Sequence, residues 1–286
     1  MEQAKRIAVV TGGNKGIGLE ICRQLASNGT MVILTARDEK RGLETVENLK
    51  ACGLSHILFH QLEVTDQASI ASMADFIKNK FGKLDILVNN AGISGITIDD
   101  VLRSDATSVK DVTNQSYEGS EACLRTNYYG AKQVTEELIP LLQLSNSTRI
   151  VNVSSTLGQL KNIANGRAKM VLSEGDEHAE EKVDEVVNQF LKDVKEDMLE
   201  TKGWPINLST YVVSKAALNA YSRILATKFP NFQVNYVSPS FVKTNMNCNN
   251  GEFDVEKGAK GPVALALTPV GGLSGLFFDR MEMSSF

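Results

Sequence analysis

Short apolar runs alternate with longer amphipathic stretches along the chain, which is the pattern of repeated βαβ units around a parallel sheet. Most of the short runs are continuously apolar, which predicts strands covered by helices on both faces. The pattern therefore predicts an α/β fold, a single doubly wound domain over residues 1–286 with a seven-stranded parallel sheet. The predicted strands cover residues 6–10, 31–36, 56–64, 84–90, 149–155, 232–238 and 275–278.

Two segments interrupt this alternation. Residues 93–116 are polar and lack clear periodicity. Residues 158–208, which we call the flap, far exceed the usual connection of about 2–6 residues, and insertions of that size tend to be lids or binding loops. Within the flap, residues 180–199 predict an amphipathic helix that either covers the core or forms a wall of the substrate pocket. Its apolar positions are Val183, Val186, Val187, Phe190, Leu191, Val194 and Met198.

Composition and charge exclude several classes of protein. A net charge of −4 leaves no basic surplus for a phosphate backbone, so we expect no nucleic-acid partner. No apolar run approaches the roughly 20 residues needed to cross a bilayer, and a strand pattern begins at once, without a signal peptide. We therefore expect a cytoplasmic protein with no membrane contact. Neither a metal site nor disulfides are expected from the scattered cysteines, which are Cys22, Cys52, Cys123 and Cys248.

A glycine-rich turn follows the first predicted strand and opens a helix. In "TGGNKGIG" at residues 11–18, Gly12, Gly16 and Gly18 would let the backbone approach a pyrophosphate, and the helix N-terminus would offer free N–H groups. A tight turn without a ligand would need similar glycines. Because this turn lies at the start of a βαβ unit, we interpret it as a nucleotide site in a Rossmann-type domain.

The end of the second predicted strand indicates which nucleotide. A site for NAD places an acid there to bind the ribose 2′-hydroxyl, but this chain has Arg37, and Lys15 lies in the glycine loop. Cations suit a 2′-phosphate, since a guanidinium can bind phosphate with two parallel hydrogen bonds. The alternative is that both are ordinary surface charges, and Asp38 weakens the argument. The pattern favours NADPH/NADP+.

A tyrosine precedes a lysine by four positions twice, at Tyr128 and Lys132 and at Tyr211 and Lys215. Residues so spaced lie about 5–6 Å apart on one helix face. A nearby ammonium would lower the pKa of a phenol from its usual value near 10 and make it a competent general acid. The spacing alone leaves both pairs as candidates.

Together with "NNAG" at 89–92 and "VNVSS" at 151–155, the wide glycine motif and Y-x-x-x-K resemble the short-chain dehydrogenase/reductase family. The order of motifs in that family selects Tyr211 and Lys215 as the catalytic pair. Strand alternation would send Ser154 and Ser155 to opposite faces, and the family's register selects Ser155, which would otherwise be a strand-end cap. The resemblance implies that Ser155 binds the substrate carbonyl and that Asn127 anchors a water that relays protons to Lys215.

The resemblance also implies which residues bind the cofactor. Thr244 and the backbone of Val242 would hold the nicotinamide carboxamide, although Ser240 replaces a usual glycine and could change the φ angles of that loop. Glu63 replaces a common aspartate against the adenine. The implied set is Gly12, Asn14, Lys15, Gly16, Ile17, Gly18, Arg37, Glu63, Asn90, Ala91, Gly92, Tyr211, Lys215, Pro239, Val242 and Thr244.

Longer stretches, among them "FGKLDILVNNAGISG" and "KGWP", resemble the plant monomeric branch of the family, which includes menthone:neomenthol reductases and salutaridine reductase. The resemblance implies a monomer that reduces ketones or aldehydes of hydrophobic terpenoids or alkaloids. Some members reduce a carbon–carbon double bond and carry a glutamate in place of the catalytic tyrosine, so ene reduction is the alternative, and a non-catalytic NADPH sensor is another. Residues expected to line the pocket, or else to belong to the core, are Leu157, Phe241, Met246 and Asn247.

Overall fold

The computed structural model describes residues 5–96 and 115–286. Within these ranges one eight-stranded sheet has the order β3-β2-β1-β4-β5-β6-β7-β8, with parallel pairing from β3 through to β7. The predicted doubly wound fold with seven parallel strands is confirmed. The strands are β1 (Ile7–Val10), β2 (Met31–Ala36), β3 (Ile57–Gln61), β4 (Ile86–Asn89), β5 (Arg149–Val153), β6 (Gln233–Ser238), β7 (Phe277–Asp279) and β8 (Glu282–Ser284).

The eighth strand was not predicted from the sequence. It runs antiparallel to β7 and is joined to it by a two-residue turn in which Arg280 has a positive φ of 58°. Such a turn brings the chain straight back, and this three-residue edge strand lacks the β-branched residues that mark strands in a sequence.

Helices cover both faces of the sheet, and two buried apolar clusters lie between them and the strands. This arrangement explains the continuous apolar runs, because every central strand has both faces buried. The helices are α1 (Gly16–Ser27), α2 (Glu39–Ala51), α3 (Gln67–Phe81), α4 (Tyr117–Leu124), α5 (Ala131–Leu142), α6 (Gly166–Ser173), α7 (Glu180–Lys195), α8 (Ser209–Lys228) and α9 (Val255–Leu267), with a π-helical segment (Arg125–Gly130) between α4 and α5.

The strand order reverses between β1 and β4, where the chain crosses from one half of the sheet to the other. At such a switch point the loops at the carboxyl ends of neighbouring strands diverge and leave a crevice for a ligand. The glycine loop after β1 and the "NNAG" segment at the end of β4 therefore lie side by side, and Thr11 N donates to Val88 O at 3.0 Å.

The flap contains α6 and α7, so the predicted inserted helical segment is present. Helix α7 packs against α4 and α8. Val183, Val186, Val187 and Phe190 of the predicted apolar stripe are buried. Trp204 Nε1 donates to Asp193 Oδ2 at 2.8 Å and ties the end of the flap to α7. Among the described residues, no helix is long and apolar enough to cross a membrane.

Candidate active site

Helix α8 carries Tyr211 and Lys215 through the interior, and most of its 20 residues are buried. Its N-terminus has no local side-chain cap, because the cap position is Leu208, with a left-handed φ of 51°. Gln115 provides the cap from a distant part of the chain: its Oε1 accepts from Thr210 N at 2.9 Å and from Ser209 Oγ at 3.2 Å. A free N–H at the start of α8 is thereby satisfied beside Tyr211.

The phenol of Tyr211 lies beside the hydroxyl of Ser155 and interacts with it. Burial raises the pKa of Tyr211 to about 12, and the interaction with Ser155 opposes that shift. Ser155 Oγ also accepts from Leu157 N at 3.1 Å, so the serine both caps a short 3₁₀ turn and contacts the phenol. At neutral pH the phenol therefore keeps its proton, which is the state that a general acid requires.

The prediction that the pKa of Tyr211 lies below its usual value near 10 is wrong. Lys215 Nζ lies 5.7 Å from the centre of the Tyr211 ring and donates to Val153 O at 2.8 Å. Burial of this lysine disfavours its own charge and lowers its pKa to about 8. The spacing of the two residues indicates the attraction of the ammonium for the phenolate, but it does not indicate the cost of desolvating both groups.

The side chains of Ser154 and Ser155 do not separate as strand alternation predicted. β5 ends at Val153, so both serines lie beyond the pleat that would set their directions. Ser154 Oγ donates to Asn219 Oδ1, whereas Ser155 lies beside Tyr211, and both partners lie on α8. The predicted choice of Ser155 keeps its support, but the support comes from this contact and not from alternation.

Asn127 lies in the π-helical segment and is buried. Its Oδ1 accepts from Ile93 N at 2.8 Å, and its Nδ2 donates to Ile93 O at 2.9 Å and to Ser214 Oγ at 3.0 Å. A β-carbon at Gly92 would lie 3.2 Å from Asn127 Oδ1 and 3.6 Å from Lys215 Nζ. The amide of Asn127 and the ammonium of Lys215 thus both border Gly92.

The pKa of Lys215 leads to a prediction for the pH dependence of carbonyl reduction. If its ammonium returns protons to Tyr211, then kcat/KM should fall as the pH rises through about 8, because the lysine then loses its proton. Lys215→Arg keeps a charge throughout, so its lower activity should stay flat between about pH 7 and 10. The same fall in the arginine variant would assign the titration to another group.

The glycine loop fits a bound dinucleotide. Gly12 and Gly16 have positive φ angles of 64° and 56°, and a β-carbon at Gly18 would lie 2.3 Å from Gly12 O. The first N–H groups of α1 have no side-chain cap from Lys15, and its first turn has no acidic residue. Close backbone approach and a free helix N-terminus are the two features that a pyrophosphate requires.

The two candidate cations for the 2′-phosphate are exposed on either side of this loop. Lys15 precedes α1, Arg37 follows β2, and Gly13 N donates to Thr35 O at 2.8 Å between them. Within residues 5–96 and 115–286, neither cation forms an ion pair with an acidic side chain. Asp38 caps α2 by accepting from Arg41 N at 3.0 Å. Its carboxylate is therefore engaged in a helix cap, whereas an NAD site would need an acid there to bind the ribose 2′-hydroxyl.

The other predicted cofactor residues surround the loop. Thr11 Oγ1 accepts from Asn90 N and Ala91 N, both at 2.9 Å, and Asn90 Nδ2 donates to Gly12 O at 3.2 Å, so "NNAG" braces the glycine turn. Glu63 Oε1 accepts from Thr65 Oγ1 at 3.0 Å, so one oxygen of this carboxylate is hydrogen-bonded within the loop that follows β3. Asn14 and Ile17 lie at the end of the glycine loop and in the first turn of α1.

The loop after β6 is held by an amide that was predicted to line the pocket. Asn247 Oδ1 accepts from Thr244 N at 3.1 Å, and Asn247 Nδ2 donates to Val242 O at 2.9 Å. Asn247 thus fixes the two residues that were predicted to hold the nicotinamide carboxamide. Pro239 and Val242 are buried beneath the loop.

Ser240 keeps this loop in a conformation that favours glycine, with a φ of 71°. A β-carbon costs about 1–2 kcal/mol in that region, and glycine loses part of the gain through its freer unfolded chain. Ser240→Gly should therefore raise the free energy of unfolding by about 0.5–1 kcal/mol, measured as a shift in the denaturant midpoint at constant slope. Ser240→Ala keeps the β-carbon and should gain nothing; an equal gain would refute the strain.

Apolar side chains near the site are open to solvent. Leu157 is 37% exposed and Met246 is 42% exposed, so neither belongs to the core, whereas Phe241 is half-buried. Of the polar segment 93–116, residues 97–114 lie outside the described residues. Leu157 and Met246 leave an exposed apolar surface near Ser155 and the loop after β6.

Three residues that support the site were not found from the sequence. Gln115 caps α8, while Ser214 and Cys123 both accept from Asn127 Nδ2, at 3.0 and 3.2 Å. The missing local cap at Leu208 was the one available sign of Gln115. The positions of Ser214 and Cys123 depend on how α4 packs against α8, which no local pattern encodes.

Comparison with known proteins agrees with this geometry. Residues 6–168 match the family model described as short chain dehydrogenase. The chain is 53% identical to (+)-neomenthol dehydrogenase of Arabidopsis thaliana, over 100% of this chain and 99% of that protein. The solved structure of salutaridine reductase from Papaver somniferum is 52% identical with a TM-score of 0.89, over 96% of this chain and 99% of that one. The NADPH carbonyl reductase 3 of Mus musculus is 38% identical, over 94% and 93%.

Proposed function

The chain belongs to the short chain dehydrogenase family, and we propose that it reduces a ketone or aldehyde group of a hydrophobic terpenoid or alkaloid. It is an NADP-dependent oxidoreductase, with NADPH/NADP+ as its cofactor. When bound, NADPH supplies the hydride that converts a carbonyl carbon into an alcohol carbon. The observation that carries the proposal is the contact between a protonated Tyr211 and Ser155 beside the buried Lys215.

Each polar group has a distinct task in this reaction. Tyr211 gives its proton to the carbonyl oxygen, and the Ser155 hydroxyl donates a hydrogen bond to the same oxygen as negative charge develops there. The ammonium of Lys215 stabilises the resulting phenolate, and Asn127 holds the path by which a proton returns from solvent. In the reverse direction an alcohol is oxidised, which requires the phenolate and is therefore disfavoured at neutral pH by the raised pKa of Tyr211.

A hydrophobic substrate is supported by the surface around the site. Leu157 and Met246 present apolar side chains to solvent, and Phe241 lies half-buried between Ser240 and Val242. Burial of exposed apolar surface by a ligand is favourable by about 25 cal/mol per Å². The names of the relatives point to the same chemistry, since one is a neomenthol dehydrogenase and another a salutaridine reductase.

Two other functions are less well supported. Ene reduction would attack the carbon–carbon double bond of an enone, but this chain has Tyr211 where, by family resemblance, members with that activity carry a glutamate. A non-catalytic NADPH sensor would have no need for the contact between Tyr211 and Ser155 or for the buried Lys215. The intact set favours carbonyl reduction over both.

The proposal is tested by NADPH consumption with a panel of cyclic monoterpene ketones, terpenoid aldehydes and an alkaloid dienone, with NADH in parallel. We expect turnover of one class, NADPH strongly preferred, and an alcohol as the product by chiral chromatography. A saturated ketone from an enone would establish the ene reductase. Tight NADPH binding without turnover of any carbonyl would favour the sensor.

We also propose that the enzyme works as a monomer. Helix α7 of the flap lays its buried stripe on α4 and α8, and by family resemblance the insertion covers the helix that other members use to dimerise. Light scattering should give a mass near 31.2 kDa. A mass twice as large would contradict the proposal.

A further inference from the structure

The second Y-x-x-x-K pair, at Tyr128 and Lys132, contacts the flap at Asp184. The hydroxyl of Tyr128, whose ring is fully buried, donates to Asp184 Oδ1 at 2.7 Å, and Lys132 Nζ donates to Asp184 Oδ2 at 2.7 Å. Both oxygens of one flap carboxylate are thus held by this pair. Lys132 also lies 2.9 Å from Glu180, one turn earlier on α7.

Tyr128 occupies a sensitive position, because Asn127 immediately precedes it in the π-helical segment. A π turn contains an extra residue and is rarely stable by itself, so tertiary contacts must hold its shape. The ring of Tyr128 packs edge-on against Tyr221 of α8, with 6.4 Å between the ring centres. The ring therefore contacts the helix that carries Tyr211, while the hydroxyl contacts the flap.

We propose that Tyr128 is a positioning residue that acts through Asn127. Its hydrogen bond to Asp184 fixes the π-helical segment against the flap, and the segment in turn fixes the amide of Asn127 between Ile93 and Ser214. A hydrogen bond to a carboxylate is stronger than a neutral one, and losing it would leave a partly buried acceptor without its donor. The flap is thereby connected to the proton path.

The first test needs no substrate and compares two neighbouring tyrosines. Tyr129 belongs to the same π-helical segment, but its hydroxyl makes only an exposed 3.4 Å contact with Asn188, which lies on α7 like Asp184. Tyr128→Phe should accelerate hydrogen–deuterium exchange in residues 125–130, and Tyr129→Phe should leave it at the wild-type rate. Equal exchange in the two variants would overturn the proposal.

The second test rests on the proposed carbonyl reductase function. Tyr128→Phe should lower kcat by about tenfold with an unchanged KM for NADPH, because a misplaced relay group slows the reaction and spares cofactor binding. In an Asn127→Ala background the same change should cost nothing further, since the group through which it acts is absent. An equal loss in both backgrounds would show that Tyr128 acts independently of Asn127.

Variants of Asp184 separate the hydrogen bond from the ion pair. Asp184→Asn can still accept from the Tyr128 hydroxyl and should retain kcat within about twofold, whereas Asp184→Leu should match Tyr128→Phe. If the asparagine variant lost as much as the leucine variant, the hydroxyl would not be the positioning contact. A wild-type enzyme that reduced no carbonyl would refute the proposed function, and the exchange experiment alone would then decide the role of Tyr128.

Discussion

Replacing Tyr211 with phenylalanine should lower kcat/KM for carbonyl reduction by about a thousandfold, because the variant keeps the ring and loses the acid. The phenol is protonated at neutral pH and lies beside Ser155, and phenylalanine has no proton to give to the substrate oxygen. Steady-state kinetics measures the loss, while the Kd for NADPH, measured by fluorescence, should change little. Thermal unfolding of the variant checks that the fold is intact.

Tyr128→Phe is the matched control for this change, because Tyr128 belongs to the chain's other Y-x-x-x-K pair. Its hydroxyl contacts Asp184 of the flap, so we expect a loss of only about tenfold in kcat. A Tyr211→Phe enzyme that retained more than a few per cent of the wild-type kcat/KM would show that the acid has been assigned to the wrong residue.

Removing the guanidinium of Arg37 should raise the KM for NADPH by about 10- to 100-fold and leave the KM for NADH unchanged. A rise of this size corresponds to the loss of one charge-assisted contact between the guanidinium and the 2′-phosphate. NADH has no 2′-phosphate and so cannot lose that contact. Arg37→Ala is the variant to measure with both cofactors. Adding Lys15→Ala should raise the KM for NADPH further, because the second cation lies on the other side of the glycine loop.

Arg41→Ala controls for the loss of a positive charge in the same region. Arg41 is exposed, lies four residues from Arg37 and already pairs with Asp38 at 3.4 Å. Arg41→Ala should change the long-range electrostatic potential as much as Arg37→Ala does, but it removes no contact with the 2′-phosphate. An equal rise in the KM for NADPH in both variants would mean that Arg37 acts only through general electrostatics.

The sequence was sufficient to predict the elements that have strong local patterns. Buried parallel strands are continuously apolar, and for that reason β1 to β7 were found with their ends displaced by at most a few residues. The flap helix was found from its apolar stripe, although it ends at Lys195 and not at residue 199. The β8 strand was not predicted because its three residues, Glu282, Met283 and Ser284, lie at a sheet edge and bury little surface.

The composition of the site was predictable, but its energetics were not. The family's motifs named Tyr211, Lys215, Ser155 and Asn127, whereas the pKa values of the first two depend on how deeply α8 is buried. Spacing along a helix fixes which side chains are neighbours and contains no measure of desolvation. Spacing alone therefore predicted the wrong direction for the shift in the pKa of Tyr211.

The other features of the site that were not predicted from the sequence are contacts between segments that lie far apart in the chain. Gln115 caps α8 from almost 100 positions away, and Asn247 braces Thr244 through an amide that suggested only pocket lining. The π-helical segment around Asn127 is likewise held by tertiary packing, since "RTNYYG" has no local pattern that distinguishes it from an α-helix. Such features follow from the assembled fold and not from periodicity.

The central claim is that hydride reaches a carbonyl carbon while Tyr211 protonates the oxygen, and isotope transfer tests it most directly. The enzyme would be incubated with a cyclic enone that it turns over and with NADPH carrying deuterium at C4 of the nicotinamide, and the product would be analysed by NMR. We predict deuterium on the carbinol carbon of an allylic alcohol. Deuterium on the β-carbon of a saturated ketone would contradict the claim and identify an ene reductase.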